Sequence, residues 1–454
     1  VRERERENGK TRQTRRRGTG SRVRGGLVIV VCLGAVAALA VYGDYGGFLQ
    51  RFLLKSTDII IEQRPDPAYD QLYQYYVEYC AVSQWRTRDQ KRGNPFGHAL
   101  AYIKGACKDE AAPYPRLRRC RRVATDIDDP EHGAGVSVGR WFRNVNWVAI
   151  PGYRLTFDGG IKPGERLTAD DVKATARAAI DRGVFTGIEL HPGWQRREGA
   201  TLEDFVAEQS LGTDFAVQFS RNAFCARVPV TEPVLDEVIA FLNDKNEEYA
   251  TGEADYNWHL LANNCVHTMR NALAAAYFWS PISVLGLKIM HVFNPAVPAN
   301  EFVNLAILGG EGPLASFRRI RADGPLRDAL HDFKWLPTRH GALVKTLPVH
   351  QPNEVYDTRF RLFAVQSPFR MGKAAQAVRL LSDPRHVDVK ANLDWFRDQY
   401  DAILAEHARA DERLTSVRGT RYRRIERLHQ AYIETQRADV EALEQKLAEL
   451  PAER

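Results

Sequence analysis

The sequence predicts an α+β protein: an antiparallel sheet packed on the helix that begins at Cys265, with an N-terminal transmembrane helix and a C-terminal helical hairpin. Three observations carry this expectation. Short apolar segments that alternate residue by residue recur between Phe96 and Val230, separated by glycine-bearing turns, as strands do. Apolar residues return every three or four positions at 167–182, at 231–245 and behind Cys265, as on helices. The segment 386–454 repeats in the same helical manner on both sides of Gly419.

Charge is concentrated at the start. Of 454 residues with a net charge of +7, the first 24 hold nine Arg, one Lys and three Glu, so the remainder is close to neutral. A nucleic-acid-binding domain carries its basic excess on a folded surface, so no nucleic-acid partner is expected. Residues 1–24 lack apolar periodicity and read as a basic cytosolic tail.

Gly25 to Gly43 carries no charge, and a span needs about 20 apolar residues, so 25–44 reads as a transmembrane anchor. The basic flank places the tail in the cytosol and the bulk on the far side, a single-pass bacterial inner-membrane protein facing the periplasm. A cleaved signal peptide is the competing reading, because Ala38-Leu39-Ala40 fits a cleavage pattern.

Residues 45–90 form a linker with a helix expected over Ala68 to Gln84, since Tyr69, Leu72, Tyr73, Tyr76 and Val77 recur at helical steps. Phe96 to Lys104 alternates like a strand, with His98, Leu100 and Tyr102 on one face. An insertion at 105–132 follows. Its Asp126, Asp128, Asp129, Glu131 and His132 do not have calcium-loop spacing and read as a solvated acidic loop; no metal or cofactor is expected. Gly135–Gly139, Val145–Ile150, Tyr153–Phe157, Val184–Leu190 and 214–230 are expected strands. Leu167–Arg182 is a helix capped by Thr168, with Asp170 and Asp171 in its first turn. Thr231–Lys245 is a second helix. The apolar stretch 277–310 holds Lys288, His291 and prolines, so it reads as buried or interface structure and not as a second span. Residues 311–385 are a mixed extension. The hairpin at 386–454 is a packing element or a coiled coil that binds a partner or a second copy.

Six cysteines occur. With Cys32 in the apolar segment and Cys265 as a working thiol, four remain, enough for two disulfides in an oxidising compartment; Cys107 with Cys120 is the favoured pair.

Cys265 follows two turn formers, Asn263 and Asn264, and opens a helical pattern. The positive end of a helix dipole favours thiolate over thiol. A thiolate needs a proton carrier, and His98 is the candidate. The order of Phe-Gly-His-Ala-Leu-Ala-Tyr-Ile around His98 and Tyr-Asn-Trp-His-Leu-Leu-Ala-Asn-Asn-Cys-Val-His up to His267 resembles the circularly permuted NlpC-like branch of the papain-fold superfamily. That branch includes lecithin retinol acyltransferase-like and periplasmic lipoprotein N-acyltransferase-like proteins. The resemblance spans 91–310, a papain-like catalytic domain. It implies Cys265 as nucleophile, His98 as base and a polar third residue on the strand after the His98 strand. Asn146 is the first choice for that residue, with His132 and Ser137 as rivals. Asn264 is a candidate support for the oxyanion, and His267 reads as structural. The expected function is hydrolysis of an amide or peptide bond in the cell envelope. Acyl transfer on a lipid or lipoprotein, or a non-catalytic envelope scaffold, are the alternatives.

Overall fold

The computed structural model describes residues 54–56, 67–84, 94–162, 164–192, 201–208, 223–259, 263–280, 296–347, 350, 353–355, 363–365, 372–413 and 420–451. At its centre are six strands: β1 (Tyr76–Gln84), β2 (Asn94–Lys104), β3 (Gly133–Val138), β4 (Trp147–Pro151), β5 (Ala223–Pro229) and β6 (Leu343–Leu347). Their order is β4-β3-β2-β1-β5-β6, with every pair antiparallel. Two smaller ladders join Leu54–Ser56 to Phe363–Val365 and Ala106–Lys108 to Leu117–Arg119.

Helices cover both faces of the sheet. On one lie α2 (Ala169–Asp181), α3 (Glu232–Ala250), α4 (Cys265–Ala275) and α5 (Pro298–Glu311), packed on Val77, Tyr79, Ala99, Ala101, Ile103, Val136 and Val228. On the other lie α1 (Pro67–Leu72) and the hairpin of α6 (Val389–Arg413) and α7 (Thr420–Glu449), packed around Tyr76, Cys80, Leu100, Tyr102 and Cys225. Burial on both faces makes the central strands apolar almost throughout, so they read less like alternation than half-exposed strands would.

That burial explains the first correction. The segment expected as a helix over 68–84 is helical only through Leu72, and Tyr76–Gln84 is the central strand β1. Its helical spacing is accidental: Tyr76 to Val82 are buried on alternate faces between β2 and β5. Tyr153–Phe157 is a short helix that drops Tyr153 and Phe157 into the core, not a strand. Val184–Leu190 is a run of turns ending in a single bridge from Leu190 to Phe142. The Thr168 cap is present, with Asp171 Oδ2 accepting from the Thr168 N–H at 2.7 Å.

The expected fold class is corrected as well. The described chain is α+β with an antiparallel sheet, and among the described residues no helix is long and apolar enough to cross a membrane. The segment 25–44, where a span was expected, lies outside the described residues, as do the tail at 1–24, Cys32 and residues 281–295. The hairpin packs on its own domain: Tyr400, Tyr432, Ile433 and Val440 are buried in the same cluster as Tyr69, Tyr73 and Leu326.

Two disulfides tie the fold. Cys80–Cys225 joins directly paired positions of β1 and β5, and Cys107–Cys120 closes the short ladder in the insertion.

Candidate functional site

The site grows from the first turn of α4. Asn264 sits in extended backbone before the helix, and its Oδ1 accepts the N–H groups of Val266 at 2.9 Å and His267 at 3.1 Å. Those donors would otherwise be orphans of the first turn. His267 completes a capping box by accepting the Asn264 N–H on Nδ1 at 3.5 Å. Asn264 Nδ2 donates to Ala296 O at 3.4 Å. Its oxygen is therefore the helix cap, and its amide nitrogen ties the cap to the approach of α5.

The cap leaves Cys265 as the first helical residue, with the one free thiol among the described residues, 8 % exposed. The Ala99 N–H of β2 donates to its Sγ at 3.4 Å. Ala99 lies one residue before Leu100, the first β2 position paired with β3, opposite Ser137. Backbone N–H groups of a sheet lie in its plane. The sulfur therefore meets the β2 backbone where the β2–β3 ladder ends.

His98 is the neighbour of Ala99, and its Nε2 lies 3.1 Å from Ser137 Oγ. By the pleat, His98 shares a face with Leu100 and Ser137, while α4 covers the face of Ala99 and Ala101. Cys265 packs in the apolar cluster of the α4 face. Thiol and imidazole thus meet one strand at consecutive residues, and the polar partner of the imidazole is on the strand after it.

Asn146 is placed elsewhere. Thr268 Oγ1, one turn into α4, donates to Asn146 Oδ1 at 2.7 Å, and Asn246 Oδ1 accepts from the Asn146 and Trp147 N–H groups at 2.8 and 3.2 Å. Asn146 therefore locks α4 to the start of β4. Two phenols that spacing alone does not mark stand near the thiol. Burial pushes the Tyr256 phenol well up, the adjacent Cys265 adds to this, and the Asn146 amide beside it acts the other way. Tyr79 is raised by burial, with Glu301 and Cys265 adding to it. Behind them the buried pair Arg270–Glu301, 3.3 Å apart, ties α4 to α5.

His132 belongs to a second polar cluster, on the face of the sheet that carries His98 and Leu100 and away from α4. Its Nδ1 is 2.7 Å from Tyr102 Oη and its Nε2 3.2 Å from Asp70 Oδ1, which also accepts from Tyr76 Oη at 2.9 Å. Lys104 lies 3.6 Å from Asp70, and Arg227 spans Glu78 at 2.8 Å and Asp70 at 4.0 Å. Lys345 is 2.6 Å from Glu78 and donates to Tyr153 Oη at 3.0 Å. The Arg227 guanidinium lies over the rings of Tyr69 and Tyr76. Burial drives Lys104 and Lys345 down to about 8. Burial would raise the Asp70 and Glu78 carboxyls, but their hydrogen bonds and the nearby cations hold both below the ordinary range. No local pattern marks these residues, because they come from separate segments spread from Tyr69 to Lys345.

Two cavities, of about 420 Å³ between α5 and Arg385–His386 and about 640 Å³ beside Tyr153 and Arg154, are lined by neither Cys265 nor His98. The fold and site define an α+β protein with a capped-helix cysteine set against a histidine-bearing strand. Comparison with protein-family models, curated proteins and solved structures found no match for this chain. The papain-like name expected for the fold therefore rests on no likeness to a solved structure.

Proposed function

We propose that this chain is a thiol hydrolase of amide or peptide bonds, with Cys265 as nucleophile, His98 as proton carrier and Ser137 as the residue that orients His98. The observation that carries the reading is the meeting of Sγ with the Ala99 N–H while the adjacent His98 holds Ser137. The Asn-Asn-Cys-Val-His segment, which resembles the NlpC-like motif, supports it. In the reaction Sγ attacks the acyl carbonyl as His98 takes the thiol proton. The C–N bond breaks, His98 delivers that proton to the leaving amine, and a thioester remains. Water then attacks the thioester and frees the acid. An amine or alcohol acceptor in place of water would make the same site an acyltransferase. Two disulfides favour an oxidising compartment such as the periplasm, where envelope peptides, lipids and lipoproteins are the substrates within reach.

The test is labelling with a thiol-reactive activity probe, read at Cys265 by peptide mass. Wild type should label, and His98→Ala should label at least tenfold more slowly at neutral pH. Equal labelling of the two would leave Cys265 a packed thiol and return the chain to a scaffold reading.

A further inference from the structure

Arg140 stands where the chain leaves β3. Gly139 allows the departure, because a Cβ there would run into the Phe142 ring. The Arg140 guanidinium lies over two tryptophans, 5.2 Å from the Trp141 ring centre and 5.1 Å from that of Trp258. Arg140 is exposed, and both rings are half-buried. Among the described residues no carboxylate pairs with Arg140, whereas the nearby Arg143 pairs with Glu189. Among the described residues its N–H donors are thus held in place by the rings and take no acceptor.

Both flanking segments lead to the thiol. Arg140 is two residues past Val138, the β3 position that follows Ser137 and so comes level with Ala99, whose N–H holds the sulfur. Trp258 is two residues past Tyr256, which is buried beside Cys265 in the same core cluster. Surface arginines commonly find a carboxylate or stay mobile. One fixed between two rings, with no paired acid among the described residues, is preorganised for an anion from outside the chain.

We infer that Arg140, steadied by Trp141 and Trp258, recognises a carboxylate on the acyl substrate, so that this site takes acidic acyl donors in preference to neutral ones. The inference rests on the thiol reading above. A guanidinium offers two parallel N–H groups to a carboxylate, a geometry a neutral amide cannot match.

Paired alkylation of Cys265 tests it without knowing the substrate. The full chain is treated separately with iodoacetate and iodoacetamide at low salt, and the Cys265 peptide is followed by mass. Arg140→Gln should slow carboxymethylation by iodoacetate about fivefold, the scale of one exposed charge interaction, and leave the iodoacetamide rate within about twofold. Arg140→Lys should fall between, and added salt should shrink the wild-type preference. An iodoacetate-to-iodoacetamide ratio that is the same in wild type and Arg140→Gln overturns the inference and leaves the thiol reading intact. A Cys265 that reacts with neither reagent in the wild type overturns the thiol reading, and this inference with it.

Discussion

The Ala99 N–H donates to the Cys265 sulfur at 3.4 Å, although 166 positions separate the two residues. This one contact sets the end of α4 against the end of the β2–β3 ladder. The thiol thus meets the residue next to His98, whose Nε2 lies 3.1 Å from Ser137 Oγ.

Ser137 and Asn146 should therefore behave differently. Ser137→Ala frees the imidazole and should lower the Cys265 labelling rate about tenfold or more, with little change in the unfolding midpoint. Asn146→Ala removes the acceptor of Thr268 and should cost about 1–3 kcal/mol in urea unfolding. Equal effects of both variants on labelling would remove Ser137 from its positioning role.

Loss of the helix cap is a separate prediction. Asn264 Oδ1 accepts two first-turn N–H groups, so Asn264→Ala should destabilise the fold by about 1 kcal/mol and Asn264→Asp by much less. Denaturant midpoints check this. A variant as stable as wild type would mean that solvent replaces the cap at no cost.

The cluster around Arg227, on the face away from α4, is a stability element. Arg227→Met strands Glu78 and Asp70 without their guanidinium and should cost on the order of 3–5 kcal/mol. Asp70 and Glu78 have carboxyl groups held low, so their contribution is complete above the ordinary carboxylate range. It is lost as pH falls toward their folded values. A guanidinium-melt series at falling pH should show wild type losing stability at strongly acid pH, with a smaller loss in Arg227→Met.

A milder acid transition should come first. Burial drives His429 down to about 4, with the charge of His407 as the second cause, and burial drives His386 to about 4 as well. A histidine whose folded value is depressed favours the folded state when neutral. Stability is therefore full above about 6.5 and declines as pH falls from there toward 4. The His429 part amounts to on the order of 3 kcal/mol at most. His429 Nδ1 and His407 Nε2 are 3.0 Å apart across the hairpin, so acid should loosen α6 from α7. His429→Gln should flatten the pH 6.5–4 slope of the melting temperature; an unchanged slope would exclude His429 as its source.

Removing the Cys80–Cys225 bridge by Cys80→Ala with Cys225→Ala should cost about 2–5 kcal/mol, because it links positions 145 apart in the chain. Thermal melts of the oxidised variant and wild type measure it.

Much of the helical part was legible in the chain. Thr168 with Asp171, the long charged repeats of the hairpin and the polar pair before Cys265 are local signals, and the structure shows a helix at each. The central strand was not legible. Tyr69, Leu72, Tyr73, Tyr76 and Val77 fit a helical period, yet only the first three lie in or beside a helix. The decision at Tyr76 comes from β2 and β5, which flank it, and nothing local to Tyr76 records them.

The sequence by itself determined which residue types could carry chemistry: a cysteine at a capped helix start, a strand histidine, and enough cysteines for two disulfides. These follow from local spacing and side-chain chemistry. Only the tertiary structure decided which of them meet. It set Cys265 against Ala99, gave Ser137 to His98 and Asn146 to Thr268, and gathered Asp70, Glu78, Lys104, Arg227 and Lys345 into one buried cluster. Each of these pairings depends on strand order and register, which are set by burial across the whole sheet and not by any neighbouring residue.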